Sequence, residues 1–328
     1  MSKTSTEMIR NTLNGSTMGT RWSALFFASS EFDSASLKNA LQRAVDEVDA
    51  QMSTWKPESD LMRLNNAPVG APIELPVQLI HVLNLGLTIG RASGGAFDIG
   101  MGDAVRAWGF AAEDAHQDHI MTALNWPRRP AYELLEVKGT RVCKRDMITI
   151  DLNGIAKGYG VDRLAEVLLN HGIRSGLVGI DGEMRALGLR PDGEPWSIAI
   201  EAPESDCRKP HSILTLHDGA VATSGDYRHY VMVEGRRLSH TMNPMRGAPL
   251  TTSPASVTVV ARTCAEADAW ATALMVLGPD KGSTLLLKQG LSALFLLRDE
   301  TNGVKSVGFG QIFSKQKSMI SAIPLRTS

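Results

Sequence analysis

The sequence predicts an α+β fold on three observations. Short β-like runs recur along most of the chain, and four or five stretches of helical period lie among them. The two kinds of element do not alternate as a doubly wound parallel sheet requires. No repeat, low-complexity block or interdomain linker divides the 328 residues, which are enough to bury a sizeable core.

In chain order, residues 1–14 are polar and read as a loosely held segment. GSTMGT (15–20) is a small-residue turn leading into a β-like run at 21–27. Ser34 or Ser36 can cap a helix through Met52, because Leu37, Leu41, Val45, Val48 and Met52 step by three and four. MSTWKPESDLMRLN (52–65) is a turn at Pro57 followed by a short helix from Ser59. Trp55 beside it either packs or offers the flat surface that an adenine needs. A helix over 76–91 has Pro76 near its start and ends in SGGAFD (93–98). That glycine cluster is either a plain interhelical loop or a close approach to a ligand, with Asp98 able to bind an amine or a ribose hydroxyl. Residues 111–130 read as a polar surface insertion whose His116 and His119 are solvated.

Residues 151–182, DLNGIAKGYGVDRLAEVLLNHGIRSGLVGIDG, follow a β-like run at 147–152. A glycine turn carries Lys157 and leads into a helix with Val161, Leu164, Ala165 and Leu168 on one face. Gly172 stops that helix, and a strand at 175–180 follows. Such a turn either presents bare N–H groups and a dipole end to an anion, or is an ordinary packing turn. Its spacing is not that of a P-loop.

Strands then follow at 184–188, 196–201, 212–216 and 220–223, with a hairpin at 227–240 around Glu234-Gly235 that delivers His240 into Thr241-Met242-Asn243-Pro244. His240 there is either structural or a proton acceptor. After a strand at 256–261, TCAE (263–266) is a capping box for a helix that stops at Gly278-Pro279. Asp268 and Thr272 share one face of it, as a polar surface or as two oxygen ligands for a hard cation. A helix at 280–288 and strands at 293–297 and 304–309 complete the pattern, and the tail from 314 is peripheral.

Composition excludes several classes. Lys plus Arg (34) nearly balances Asp plus Glu (35), so nothing electrostatic favours nucleic acid or an anionic membrane. Three scattered cysteines suggest neither a disulfide framework nor a zinc cluster. No run approaches a membrane span, and the N-terminus lacks an apolar signal region. As written the chain reads as cytoplasmic; a periplasmic or membrane-anchored place follows if the native N-terminus extends further.

Six segments stand in order: GSTMGT, MSTWKPESDLMRLN, SGGAFDIGMGDAVRAWGF, DLNGIAKGYGVDRLAE, SGDYRHY with LSHTMNPMRG, and VTVVARTCAEADAWATALMVLG. Together they resemble the ApbE family, the FAD:protein FMN transferases, from about residue 15 to residue 309. The resemblance implies short-stranded mixed sheets packed with helices in one unit of two sub-lobes. The flavin transferase domain would span 15–313, between the segment 1–14 and the tail 314–328. It also implies Mg²⁺-dependent cleavage of the FAD pyrophosphate, with FMN moving to a threonine in a D/S-G-A/S-T motif of an acceptor protein and AMP leaving. By position, Met18, Trp55, Ala96, Phe97, Asp98, Asn153, Lys157, Tyr159 and Met242 would contact FAD. Ala156, through its carbonyl, Asp268 and Thr272 would hold Mg²⁺, and His240 would deprotonate the acceptor threonine.

Four positions depart from the family pattern. Asn243 stands for an aspartate, Trp55 for a frequent tyrosine, Glu183 follows Asp181-Gly182 where Gly-Gly-Asp is typical, and Ile99-Gly100-Met101 replaces threonine-valine. Two other functions compete on the same residues: an FAD pyrophosphatase releasing FMN and AMP, and a non-catalytic flavin-binding or flavin-delivery protein.

Overall fold

The computed structural model describes residues 8–111, 115–204, 209–227, 230–233, 236–251, 254–299 and 303–314. Strands β1 (Met8–Thr17) and β2 (Thr20–Ser29) pair residue for residue across a Met18-Gly19 turn. Both turn residues have positive φ, 45° and 70°, the hand that a two-residue hairpin needs. The loose segment expected through residue 14 is therefore corrected from Met8 onward. Its polar composition is that of an edge strand, tied by backbone hydrogen bonds and wet on one face.

Helix α1 (Ser34–Met52) buries the expected stripe, but its cap is Asp33, whose carboxylate accepts the N–H groups of Ala35 and Ser36. An anion at a helix N-terminus is a stronger acceptor than the serine hydroxyls. Ser59 caps α2 (Asp60–Asn66) as expected. Next come β3 (Ile73–Glu74), α3 (Val77–Ala92), α4 (Gly102–Ala107), α5 (Gln117–Asn125), α6 (Ala131–Leu134), β4 (Leu135–Lys138) and β5 (Arg141–Lys144); the three strands form a small sheet.

The strand expected at 147–152 does not form. Ile150 exchanges both backbone hydrogen bonds with the side-chain amide of Asn65, at 2.7 and 2.9 Å. Its neighbours bond to a loop instead: Gly102 N–H donates to Thr149, and Asp151 N–H donates to Ile99. The segment satisfies its backbone without a strand neighbour.

Helix α7 (Ala156–Asn170) then leads, through Gly172 at φ 77°, to β6 (Gly176–Ile180) and β7 (Glu183–Leu187). The β8 (Trp196–Glu201) and β9 (Pro210–Leu216) hairpin, β10 (Gly219–Gly225), the β11 (Tyr230–Val233) and β12 (Arg236–Ser239) hairpin, β13 (Met242–Asn243), β14 (Ala248–Pro249) and β15 (Ser256–Ala261) follow. The expected Glu234-Gly235 turn lies outside the described residues. Helix α8 (Cys264–Gln289) starts at the Thr263 capping box and breaks at Gly278 (φ 69°, ψ 177°) before Pro279, where the sequence placed its stop. Strands β16 (Ser292–Arg298) and β17 (Val304–Phe309) and helix α9 (Gly310–Ser314) close the described chain.

The main sheet has the order β1-β2-β6-β7-β10-β15-β16-β17, antiparallel throughout. Side-chain alternation sorts its two faces. Trp22, Ala24 and Phe26 of β2 meet α1 and α7, whereas Leu25 and Phe27 point to the β8–β9 hairpin. On β15, Val257 and Val259 pack under α8 and Val260 faces the hairpin. Helices α7 and α8 thus lie side by side on one face.

Asp162 of α7 fixes where α8 begins. Its two oxygens accept the N–H groups of Cys264 and Ala265 at 2.9 Å each, and Arg185 of β7 donates to Oδ1 at 2.6 Å. Removing this buried acceptor orphans two amides and a guanidinium, so Asp162→Ala should cost about 2–4 kcal/mol. The expected result is a lower urea midpoint at unchanged m-value; an unchanged midpoint refutes this role.

Candidate functional site

Three turns meet at the start of α7. The first is the chain entering the helix, the second the β1–β2 turn, the third the Asp181-Gly182 turn between β6 and β7. Gly158 brings α7 against α8 so closely that a Cβ there would collide with the Cys264 carbonyl and the Asp268 side chain. At that contact Gly158 N–H donates to Asp268 Oδ2 at 3.0 Å. One helical turn along α8, Thr272 Oγ1 lies 3.0 Å from where a Cβ on Gly154 would sit, and 3.2 Å from Ser224 Oγ of β10. Ala156 is in the chain between these two contacts. Asp268, Thr272 and the segment carrying Ala156 therefore come together from positions more than a hundred residues apart.

The site is acidic. Lys157 Nζ stands 2.9 Å from Glu183 Oε1 and 3.5 Å from Asp181 Oδ2. Burial disfavours its charge, but Glu183, Asp268 and Asp181 more than offset this and raise its pKa, so it stays an ammonium. Asp268 is driven the other way: burial first, then Glu183, push its pKa up to about 7, against the opposing Lys157 and Gly158 N–H. Among the described residues Glu183 Oε2 is buried without a hydrogen-bond partner. One carboxylate, one hydroxyl and a nearby main-chain carbonyl are hard oxygen donors of the kind a divalent cation takes. These residues fit a Mg²⁺-like ion. Among the described residues no cluster of three or more His, Cys, Asp or Glu suits a metal, as expected of a set with a single carboxylate.

The backbone marks the same place. Met18 (φ 45°) and Asp181 (φ 51°) are the two non-glycine residues with positive φ among the described residues. They sit at the two sheet turns flanking α7, and Met18 Cε lies 3.0 Å from where a Cβ on Gly160 would be. Unfavourable conformations of this kind persist where the surroundings enforce them.

One expectation is narrowed. The start of α7 does not offer a full set of bare N–H groups, because Ala156 N–H donates to Leu152 and Gly158 N–H to Asp268. Positive charge at this end therefore rests largely on Lys157.

The other expected residues take two kinds of position. Phe97 is buried with Cε2 beside Gly154, Ala96 is buried next to it, and Tyr159 is buried with its ring 5.8 Å from His81, burial raising its pKa to about 12. All three belong to one hydrophobic core cluster. Asp98 is a loop staple: Oδ1 accepts Gly100 N–H at 2.8 Å and Ala131 N–H at 3.1 Å, and burial raises its pKa despite both. Asn153 is exposed, fixed by Asp151 through its N–H and its Nδ2; burial pushes Asp151 up to about 6. Trp55 is not packed: it is 60% exposed.

A cleft of about 250 Å³ is lined by Thr54, Asn65, Arg106, Ala111 and Asp151, among others, and by none of the expected residues. Phe110, next to Ala111, has its ring 6.5 Å from His240, and Met242 packs with Met101 and Trp108. Sequence reading missed Thr54, Arg106 and Ser224, although all three stood inside the quoted motifs. A larger cavity of about 750 Å³ along the far half of α8 holds none of the expected residues.

Comparison with known proteins identifies the family and the fold. The family model described as the ApbE family matches residues 18–295. Proteins named FAD:protein FMN transferase are similar over most of their length. The one from Vibrio cholerae is 36% identical over 293 residues, covering 88% of this chain and 87% of its own. That from Klebsiella pneumoniae is 33% identical over 303 residues, covering 90% and 86%. Among solved structures, the flavin transferase ApbE from Vibrio cholerae superposes with a TM-score of 0.82 at 32% identity, covering 92% of this chain and 98% of that one. The apo flavinyl transferase ApbE of Pseudomonas stutzeri gives 0.80 at 34% identity, covering 92% and 95%.

The raised pKa of Asp268 has a signed consequence. Its ordinary value is 3.8 and its folded value about 7, so between these pH values the native protein keeps a proton that the unfolded chain has released. Metal-free stability from this group therefore falls as pH rises through that window. Asp268→Asn should stabilise the metal-free protein by about 1–3 kcal/mol at pH 8 and by much less at pH 5. Denaturant titrations in chelator check this; equal gaps at both pH values refute it.

Proposed function

The chain belongs to the ApbE family, and on that premise we propose that it moves FMN from FAD to a threonine hydroxyl of an acceptor flavoprotein, using Mg²⁺ and releasing AMP. The observation that carries this reading is the meeting of Asp268 and Thr272 with the turn around Ala156. In this reading Mg²⁺ is held by the Ala156 carbonyl, the Asp268 carboxylate and the Thr272 hydroxyl. When bound, it supplies Lewis-acid stabilisation of charge on the pyrophosphate. Lys157 adds a fixed ammonium beside the same phosphates.

Asn153 and Trp55, the exposed members of the set, reach for FAD from the open side. Met18, Ala96, Phe97, Tyr159, Asp98 and Met242 shape its walls. His240, at the end of β12, takes the proton of the threonine hydroxyl as its oxygen bonds to the FMN phosphorus and the bond to AMP breaks. Imidazole titrates in the right range for this, whereas Asp268 is committed to the metal.

The acceptor is a protein segment with a D/S-G-A/S-T motif. Asn243, which replaces the family's aspartate, spends Oδ1 on Met245 N–H at 3.0 Å within its own turn. It brings no negative charge toward His240, which favours water as a competing acceptor. The pyrophosphatase is therefore the second reading. Among the described residues no helix is long and apolar enough to cross a membrane.

Incubation with FAD, Mg²⁺ and a peptide carrying the motif should add one FMN less water to the peptide mass and release one AMP per transfer. Free FMN with an unmodified peptide supports hydrolysis and sinks the transfer reading. His240→Ala should keep FAD binding and lower transfer by about 10²-fold or more. Full transfer by that variant removes His240 from the chemistry.

A further inference from the structure

A threonine inside an α-helix commonly turns its hydroxyl back to a carbonyl one turn earlier. Thr88 of α3 and Thr122 of α5 do so, donating to the Asn84 and Asp118 carbonyls at 2.8 Å each. Thr272 of α8 does not. Among the described residues the partner of its Oγ1 is Ser224 Oγ of β10, at 3.2 Å. The same oxygen lies beside the turn at Gly154, 3.0 Å from where a Cβ there would sit.

Ser224 breaks the pattern of its strand. In the ladder with β15 it stands opposite Val257, as Ala222 stands opposite Val259. Opposed residues share a face, and both valines belong to the core that packs under α8. Ala222 continues that face as a small, buried apolar residue. Ser224 puts a hydroxyl on it, within reach of the helix. The adjacent hydroxyl, on Thr223, is spent inside the sheet on Thr258 at 2.8 Å. Ser224 instead ties the sheet to α8.

A hydroxyl has one proton and two lone pairs. When Thr272 gives a lone pair to a cation, its proton has to point elsewhere. A neighbour that accepts the proton in a hydrogen bond fixes the rotor and makes the oxygen a better ligand. We propose that Ser224 is a positioning residue of the metal site, accepting the Thr272 hydroxyl proton so that a lone pair of Thr272 Oγ1 is left for the cation. The inference rests on the reading of Thr272 as a Mg²⁺ ligand and adds the group that orients it. Ser224 touches neither metal nor FAD in this scheme.

The test is Mn²⁺ binding to the full chain, read from the loss of the free-ion signal in electron paramagnetic resonance, because Mn²⁺ takes the same hard oxygen ligands. Ser224→Ala should bind Mn²⁺ about tenfold more weakly than the wild type. Ser224→Thr and Ser224→Val nearly match in shape, suit a strand equally and differ in the hydroxyl. Ser224→Thr should keep wild-type affinity and Ser224→Val should lose about tenfold. Equal affinity in these two overturns the inference, because packing rather than the hydroxyl is then responsible. Wild-type affinity in Ser224→Ala overturns it as well. A wild type that takes up no Mn²⁺ overturns the metal reading beneath it instead.

Discussion

The contact between α7 and α8 at Gly158 is the constraint on which the site depends. No side chain fits between that backbone and the Cys264 carbonyl, so the helices touch along their main chains. The approach lets a backbone amide of one helix reach a carboxylate of the other, Gly158 N–H to Asp268 Oδ2. It also sets Thr272 beside the turn at Gly154. Main-chain contacts hold distances more tightly than paired long side chains can, which suits a site whose chemistry turns on placement.

The buried acids near this seam divide by how well they are satisfied. Asp162 has three donors and serves the fold. Asp98 has the amides of Gly100 and Ala131 and serves a loop. Asp268 has one amide and Glu183 one ammonium, and each faces the other's charge. Burial is common to all four, and the number of donors that meets each is what differs.

Much of this was legible in the letters. The stripe of α1, the Ser59 cap, the capping box at Thr263, the stop at Gly278-Pro279 and the turn at Gly172 are local signals, and each stands where the pattern set it. The spacing of Asp268 and Thr272 was readable too, although what they face came only with the fold and with family likeness. What failed was decided at long range. Ile150 looked like strand, yet its partner is the side chain of Asn65, eighty-five residues away. Met8–Asn14 looked loose because an edge strand needs little hydrophobicity when the ladder supplies its hydrogen bonds. The amides at the start of α7 looked bare because nothing in that stretch reveals that Asp268 arrives to take one.

The break at Gly278 bears on how this architecture tolerates change in length. An α-helix carries rotational phase, so one residue inserted between Cys264 and Asp268 would turn the carboxylate about 100° away from Gly158. A residue inserted beyond Gly278 meets a backbone already out of helical register, and the rotation dies there. A change of length in α8 is thus absorbed in its distal half, whereas the half carrying Asp268 and Thr272 has to keep its count to hold the Gly158 contact.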